Sequence, residues 1–225
     1  MTTPQDTGPV APAASALAPA SPLVSGLFER REGPVLDFAE RAAAVATACH
    51  QMAVRFHRGG KLIAFGTGGS STDAQHVAVE FVHPVIVGKR ALPAISLTSD
   101  VATVTGIAAR SGMAAIFSHQ LRYLATPADI ALGISSDGNC ASVLAGLLTA
   151  RELGMLTIAL TGGGASGGGG AGAIAACPAV DHTLVIRSAD PRIVKELQVT
   201  AYHVLWELVH VFFEQPGVLA PGVVA

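Results

Sequence analysis

Residues Gly66-Thr67-Gly68-Gly69-Ser70-Ser71-Thr72-Asp73 follow a short apolar run and lead into a helical pattern. Three glycines let a ligand approach the backbone closely, and hydroxyls with free amides at a helix start favour an anion. Ser135-Ser136-Asp137-Gly138-Asn139-Cys140 repeats the arrangement after another apolar run. Neither segment is a P-loop or a dinucleotide fingerprint, because Gly-Lys-Ser and the third spaced glycine are missing. A plain glycine turn closed by a Ser or Thr helix cap is the structural alternative for the first segment. Asp137 opposes an anion unless a cation intervenes, and its structural alternative is a helix cap. His76 and Glu80, four apart, share a helix face. Glu196, His203 and His210 recur every seven residues beside an apolar stripe, where a histidine is commonly a satisfied core group. Eight of the eleven residues 162–172 are glycine, which reads as a flexible connection.

The elements that must position these residues follow from hydrophobic periodicity. Val35, Phe38, Ala42, Val45, Cys49, Met52 and Phe56 recur at alternating spacings of three and four, which predicts one N-terminal helix ending near Arg58-Gly59-Gly60. Its stripe suits either the domain's own sheet or a second copy of the chain. Short apolar runs at 62–65, 94–97, 130–134, 156–160 and 183–186 then alternate with helical segments, the last over 191–213. That alternation predicts an α/β fold: a three-layer, doubly wound, flavodoxin-like parallel sheet of five strands. Ligands in such sheets bind beyond the carboxyl ends of the strands, where the strand order switches. The domain is expected to span 34–214, between a disordered Ala/Pro tail at 1–33 and a short tail at 215–225.

Composition narrows the function classes. Fourteen Lys+Arg against sixteen Asp+Glu give a net charge of −2, which leaves no basic footprint for nucleic acid. Half of the 225 residues are apolar and mean hydropathy is +0.50, yet Gly, Pro or charge interrupts every long apolar run, so no membrane span is expected. Charged residues make up only 13% of the chain, against about 25% in an ordinary soluble domain, which points to a homo-oligomer. Cys49, Cys140 and Cys177 form neither a disulfide framework nor a C-x-x-C pair, and no positively charged leader precedes the domain. A cytoplasmic setting is expected.

The run 59–80, containing Gly66-Thr67-Gly68-Gly69-Ser70 and His76 to Glu80, resembles the opening of the sugar isomerase (SIS) domain, phosphoheptose isomerase branch. The likeness continues through 93–100, 133–139 and the closing helix Lys195-Glu196-Leu197-Gln198 to Tyr202-His203, covering about 34–214. It implies a homotetramer with sites where subunits meet, and aldose–ketose isomerisation of sedoheptulose 7-phosphate.

The resemblance also implies that Glu80 is the general base and His203 its proton-transfer partner. Isomerisation needs such a pair, since a proton must leave the carbon beside the carbonyl through an enediolate. Thr67, Gly68, Gly69, Ser70 and Asp100 would hold the sugar, and Ser135 and Ser136 the phosphate. Asp137 and Cys140 stand where the branch places serines. Some members bind zinc through His, Glu, Gln and His, and the matching residues are His76, Glu80, Lys195 and His203. A protonated lysine is no ligand, so zinc would rest on three donors, or the Lys195 ammonium would supply a metal's positive charge or offset Asp137. These departures also accommodate a different acidic or unphosphorylated sugar, or a non-catalytic sugar-phosphate-binding regulator or assembly protein resembling the replication-initiator-associating branch.

Overall fold

A computed structural model of the chain describes residues 21–163, 172–215 and 217–219. Two helices, α1 (Ser21–Ala39) and α2 (Ala42–His57), precede β1 (Leu62–Gly66), α3 (Gly69–Val82), β2 (Ala94–Ser96) and α4 (Val101–Ser111). A 3₁₀ turn (Met113–Ala115) enters α5 (Ile116–Leu124), followed by β3 (Ile130–Ser135), α6 (Ala141–Glu152) and β4 (Leu156–Gly162). The single turn α7 (Gly172–Ala175), β5 (His182–Ile186) and the long α8 (Pro191–Glu214) complete the chain. Among the described residues no helix is long and apolar enough to cross a membrane.

All five strands are parallel, in the order β2-β1-β3-β4-β5. The chain moves outward from β1 to β2 and then crosses to the other side of β1, so the order switches between β1 and β3. Alternate residues feed two cores. Leu62, Ala64, Ile130, Leu132, Ile158 and Leu160 pack with α2, α3 and α8, whereas Ile63, Phe65 and Ala131 pack with α4, α5 and α6. Burial on both faces explains the continuous apolar runs, and each large side chain buried contributes about 1.5–3 kcal/mol.

The N-terminal part differs from the expectation. The residues of the expected single helix fall in two helices that meet at Glu40-Arg41, and helix already covers 21–33, where a tail was expected. Arg41 marks the break: its Nη1 donates to Val185 O at 2.6 Å and its guanidinium pairs with Asp37, tying the junction to β5. Pro22 is tolerated because a first-turn N–H has no helical partner. The Arg31 guanidinium holds α1 to α8 through both oxygens of Glu196, at 2.6 and 2.7 Å. The stripe of α2 faces the domain itself: Val45, Cys49, Met52 and Phe56 are buried in the core shared with α8. Val35 and Ala42, assigned to the same stripe, are exposed. Residues 1–20 of the expected tail, and 164–171 of the glycine tract, lie outside the described residues.

Asp129 closes the amino end of the sheet. It is only 2% exposed and accepts from Lys61 N at 2.9 Å, Lys61 Nζ at 2.6 Å and Thr126 N at 2.8 Å. Burial pushes its carboxyl upward, but the Lys61 ammonium and the two amides outweigh burial and hold it below its ordinary value of 3.8. A carboxyl with a depressed folded value stabilises the fold above its unfolded value, and that contribution is lost as pH falls through the folded one. Asp129→Asn is therefore expected to cost about 2–4 kcal/mol, lowering Tm by roughly 5–10 °C at pH 7. Thermal melts from pH 7 to 3 check this: the Tm gap between wild type and variant narrows below about pH 4.

Candidate active site

The two glycine- and serine-bearing loops meet at the switch point between β1 and β3. Gly66 ends β1 where the chain has no room for a side chain, since a Cβ there would lie 2.6 Å from Ser70 O and 2.9 Å from Ile134 O. Gly68 takes a left-handed φ of 56° and starts α3 without a side-chain cap. The hydroxyls of Ser71 and Thr72 donate back to Gly68 O and Gly69 O, both at 2.7 Å, so the capped-turn alternative does not describe this loop. Across the switch, Ser70 Oγ lies 3.3 Å from Ser136 Oγ and Thr67 Oγ1 lies 3.1 Å from Cys140 Sγ. Beside the first loop, Gly66, Thr67, Gly68, Ser71 and Thr98 form one side of a cavity of about 200 Å³.

The second loop is folded onto its own aspartate. Asp137 Oδ1 accepts from Ser135 Oγ at 3.1 Å and from Asn139 N at 2.9 Å, while Ser135 Oγ accepts from Gly138 N at 3.1 Å. Asp137 thus closes the loop, and Cys140, not Asp137, occupies the N-cap position of α6. Burial raises the Cys140 thiol, but hydrogen bonds from the hydroxyls of Ser142 and Thr67 and the amides of Val143 and Ser142 prevail, and its value falls below the ordinary 9.0.

The titratable cluster is built by α3 against α8. His76, Glu80 and His203 bring one ligand atom each to within 4.8 Å of one another. His76 Nε2 lies 3.2 Å from Glu80 Oε1, and the His76 and His203 rings meet edge-on at 5.1 Å. Glu80 is 6% exposed and its Oε2 has no partner among the described residues. His203 Nδ1 donates to Val199 O at 2.9 Å, which leaves Nε2 as the working nitrogen. Lys195 Nζ pairs with the buried carboxylate of Asp73, and its stem lies over Gly69. The ammonium therefore serves Asp73, not Asp137.

The remaining candidates are placed elsewhere. Asp100 caps α4, accepting from Thr103 N at 3.1 Å and Thr103 Oγ1 at 2.5 Å, and the hydroxyl above all holds its carboxyl below the ordinary value. Glu196 serves Arg31, and His210 is a buried core group bonded to Trp206 O and Arg90 O. Two residues of the site escaped the sequence reading. Asp73 stands seven residues before Glu80 on the same face, a spacing that could have revealed it. Tyr202, whose hydroxyl is 2.6 Å from His76 Nδ1, carried no such signal.

A parallel sheet with polar loops at its switch point and a carboxylate–imidazole cluster between α3 and α8 is the architecture that the resemblance to the sugar isomerase domain implies. The SIS domain family model matches residues 35–162, more than half of the chain, and the chain belongs to that family. Its branch within the family follows from the relatives. The phosphoheptose isomerase of Desulfovibrio desulfuricans is 39% identical over 186 residues, covering 82% of this chain and 84% of that one. The phosphoheptose isomerase structure from Francisella tularensis superposes with a TM-score of 0.76 at 28% identity, covering 85% of this chain and 98% of that one. The one from Neisseria gonorrhoeae gives 0.73 at 28% identity, with 84% and 98% covered. The chain falls in the phosphoheptose isomerase branch.

Proposed function

We propose that this protein is an aldose–ketose isomerase that interconverts sedoheptulose 7-phosphate and D-glycero-D-manno-heptose 7-phosphate. The observation that carries the reading is the convergence of Glu80 from α3 and His203 from α8 on one point below the two loops. In the ketose-to-aldose direction the Glu80 carboxylate takes a proton from C1, which leaves an enediolate. His203 Nε2 takes the proton of the C1 oxygen and passes it to the C2 oxygen. Glu80 then returns a proton to C2, so bonds and charges balance. In this reading Thr67, Gly68, Gly69 and Ser70 serve the sugar and Ser135, Ser136 and Cys140 the phosphate, whereas Asp100, occupied in capping α4, is left out.

The donor set also suits a metal. His76, Glu80 and His203 converge and Glu80 Oε2 is buried without a partner, so these three would hold zinc, which would supply Lewis acidity to the enediolate oxygens. Lys195, committed to Asp73, contributes charge balance and no ligand. Exposed Leu23, Leu27, Phe28 and Leu36 on α1 support a homo-oligomer, for which a tetramer is the branch's expectation. The absence of a cysteine framework in the sequence supports a cytoplasmic setting.

Proton NMR of sedoheptulose 7-phosphate with the protein in D₂O tests the reaction. Deuterium is expected to enter the carbon beside the carbonyl, with the aldose appearing. No exchange at saturating ligand overturns the isomerase in favour of a non-catalytic binding role, the reading that Asp137's capture of the Ser135 hydroxyl favours.

A further inference from the structure

The helix α4 carries a glycine that neither backbone conformation nor packing requires. Gly106 lies in the middle of Val101–Ser111, its φ is outside the left-handed region, and a Cβ built there meets nothing within 4 Å. Glycine is the poorest helix former after proline, so its place in mid-helix has another reason. Thr103, Gly106, Ile107 and Arg110 share one face of α4 and, with Ser111 and His119, line a cavity of about 280 Å³. The missing side chain leaves that cavity open. Its surroundings carry one sign of charge: residues 101–128 contain no Asp or Glu, whereas Arg110, His119 and Arg122 fall among them. Among the described residues Arg122 pairs with Glu152 at 3.4 Å but no carboxylate pairs with Arg110. Asp100, which precedes α4, is turned to Thr103 N and Oγ1.

We propose that this cavity is a second ligand site, which binds a phosphate group, either as free phosphate or at the end of a small monoester. The Arg110 guanidinium supplies a forked pair of charge-assisted hydrogen bonds, and His119 and Ser111 supply a donor each. The rest of a monoester lies over Gly106 and Ile107. A volume of about 280 Å³ is at the small end of ligand sites, which run from roughly 300 to 1,000 Å³. The site is separate from the cavity beside the first loop, because Val101 and Val104, which wall that one, lie on the opposite face of α4. It does not depend on the isomerase reading, since nothing in it involves Glu80 or His203.

Titration of the full-length, ¹⁵N-labelled protein with glucose 6-phosphate and, separately, with inorganic phosphate reads the site without turnover. The Gly106 and Ser111 amide signals are expected to move. The dissociation constant they report is expected to rise at least about tenfold in Arg110→Gln and in Gly106→Leu, while the Gly66 and Gly68 signals of the first loop respond as in wild type. Gly106→Leu fills the cavity from a position with room for a side chain and is the better helix former. Tighter binding of glucose 6-phosphate identifies a monoester as the ligand, and equal affinities identify free phosphate; both support the site. Signals that stay in place in wild type overturn the proposal, as does an affinity that Arg110→Gln leaves unchanged. A changed oligomeric state of Gly106→Leu in light scattering also overturns it, since a second copy of the chain then covers the face. Arg110 is exposed, so its variant decides alone should Gly106→Leu not fold.

Discussion

Glu80→Gln is expected to lower kcat for sedoheptulose 7-phosphate by about a thousandfold or more, while the dissociation constant for the sugar phosphate changes by less than about threefold. The amide has the carboxylate's shape and can keep the contact with His76 one turn away on α3, so the local packing is retained. What it lacks is the capacity to take a proton from carbon. Deuterium incorporation in D₂O separates the two properties, because exchange requires proton abstraction whereas calorimetric binding does not. His203→Asn, by contrast, leaves abstraction possible and removes transfer between oxygens. In that variant residual exchange is expected to exceed net conversion. An exchange rate for Glu80→Gln equal to that of wild type would show that another group is the base.

The three central strands are legible in the sequence because they are covered on both faces, so Leu62 to Phe65 reads as an unbroken apolar run and Leu156 to Leu160 as one interrupted only by Thr157. The loops after them are legible because their glycines and hydroxyls are contiguous. What is not legible is pairing across distance. Asp73 acquires its meaning from Lys195, 122 residues away, and Tyr202, in the sequence only the neighbour of His203, meets His76 once α8 is laid against α3. Asp137 misleads for the same reason. Its charge type suggests repulsion of an anion, yet its carboxylate is turned to Ser135 Oγ and Asn139 N, which makes it part of the loop's own framework. The first helix is hidden by a different cause. Leu23 and Phe28 are 72% and 69% exposed, so the first part of α1 shows no stripe matched to the core; it is held where Arg31 reaches Glu196, while Phe38 near its end is buried in the core.

Gly66→Ala should produce a large structural loss for a single methyl group. The added carbon would lie 2.6 Å from Ser70 O, 2.7 Å from Ser70 Cβ and 2.9 Å from Ile134 O. Two of these are backbone atoms, one at the start of α3 and one on β3, and no side-chain rotation relieves them. The first turn of α3 must move off β3. That movement separates Ser70 from Ser136 and carries Asp73, His76 and Glu80 with it, since all three ride on the same helix. Overpacking of this kind costs about 1–3 kcal/mol, or roughly 2–12 °C in Tm, and sugar-phosphate affinity is expected to fall at least about tenfold as the loops part. Gly69→Ala is the internal contrast. There the nearest atoms are the Lys195 Cε at 3.3 Å and Nζ at 3.6 Å, the far end of a flexible side chain, so Tm is expected to stay within about 2 °C of wild type. Melting curves and binding isotherms for the pair decide the matter: equal Tm values and equal affinities would mean that the close approach at Gly66 does not set the geometry of the loop.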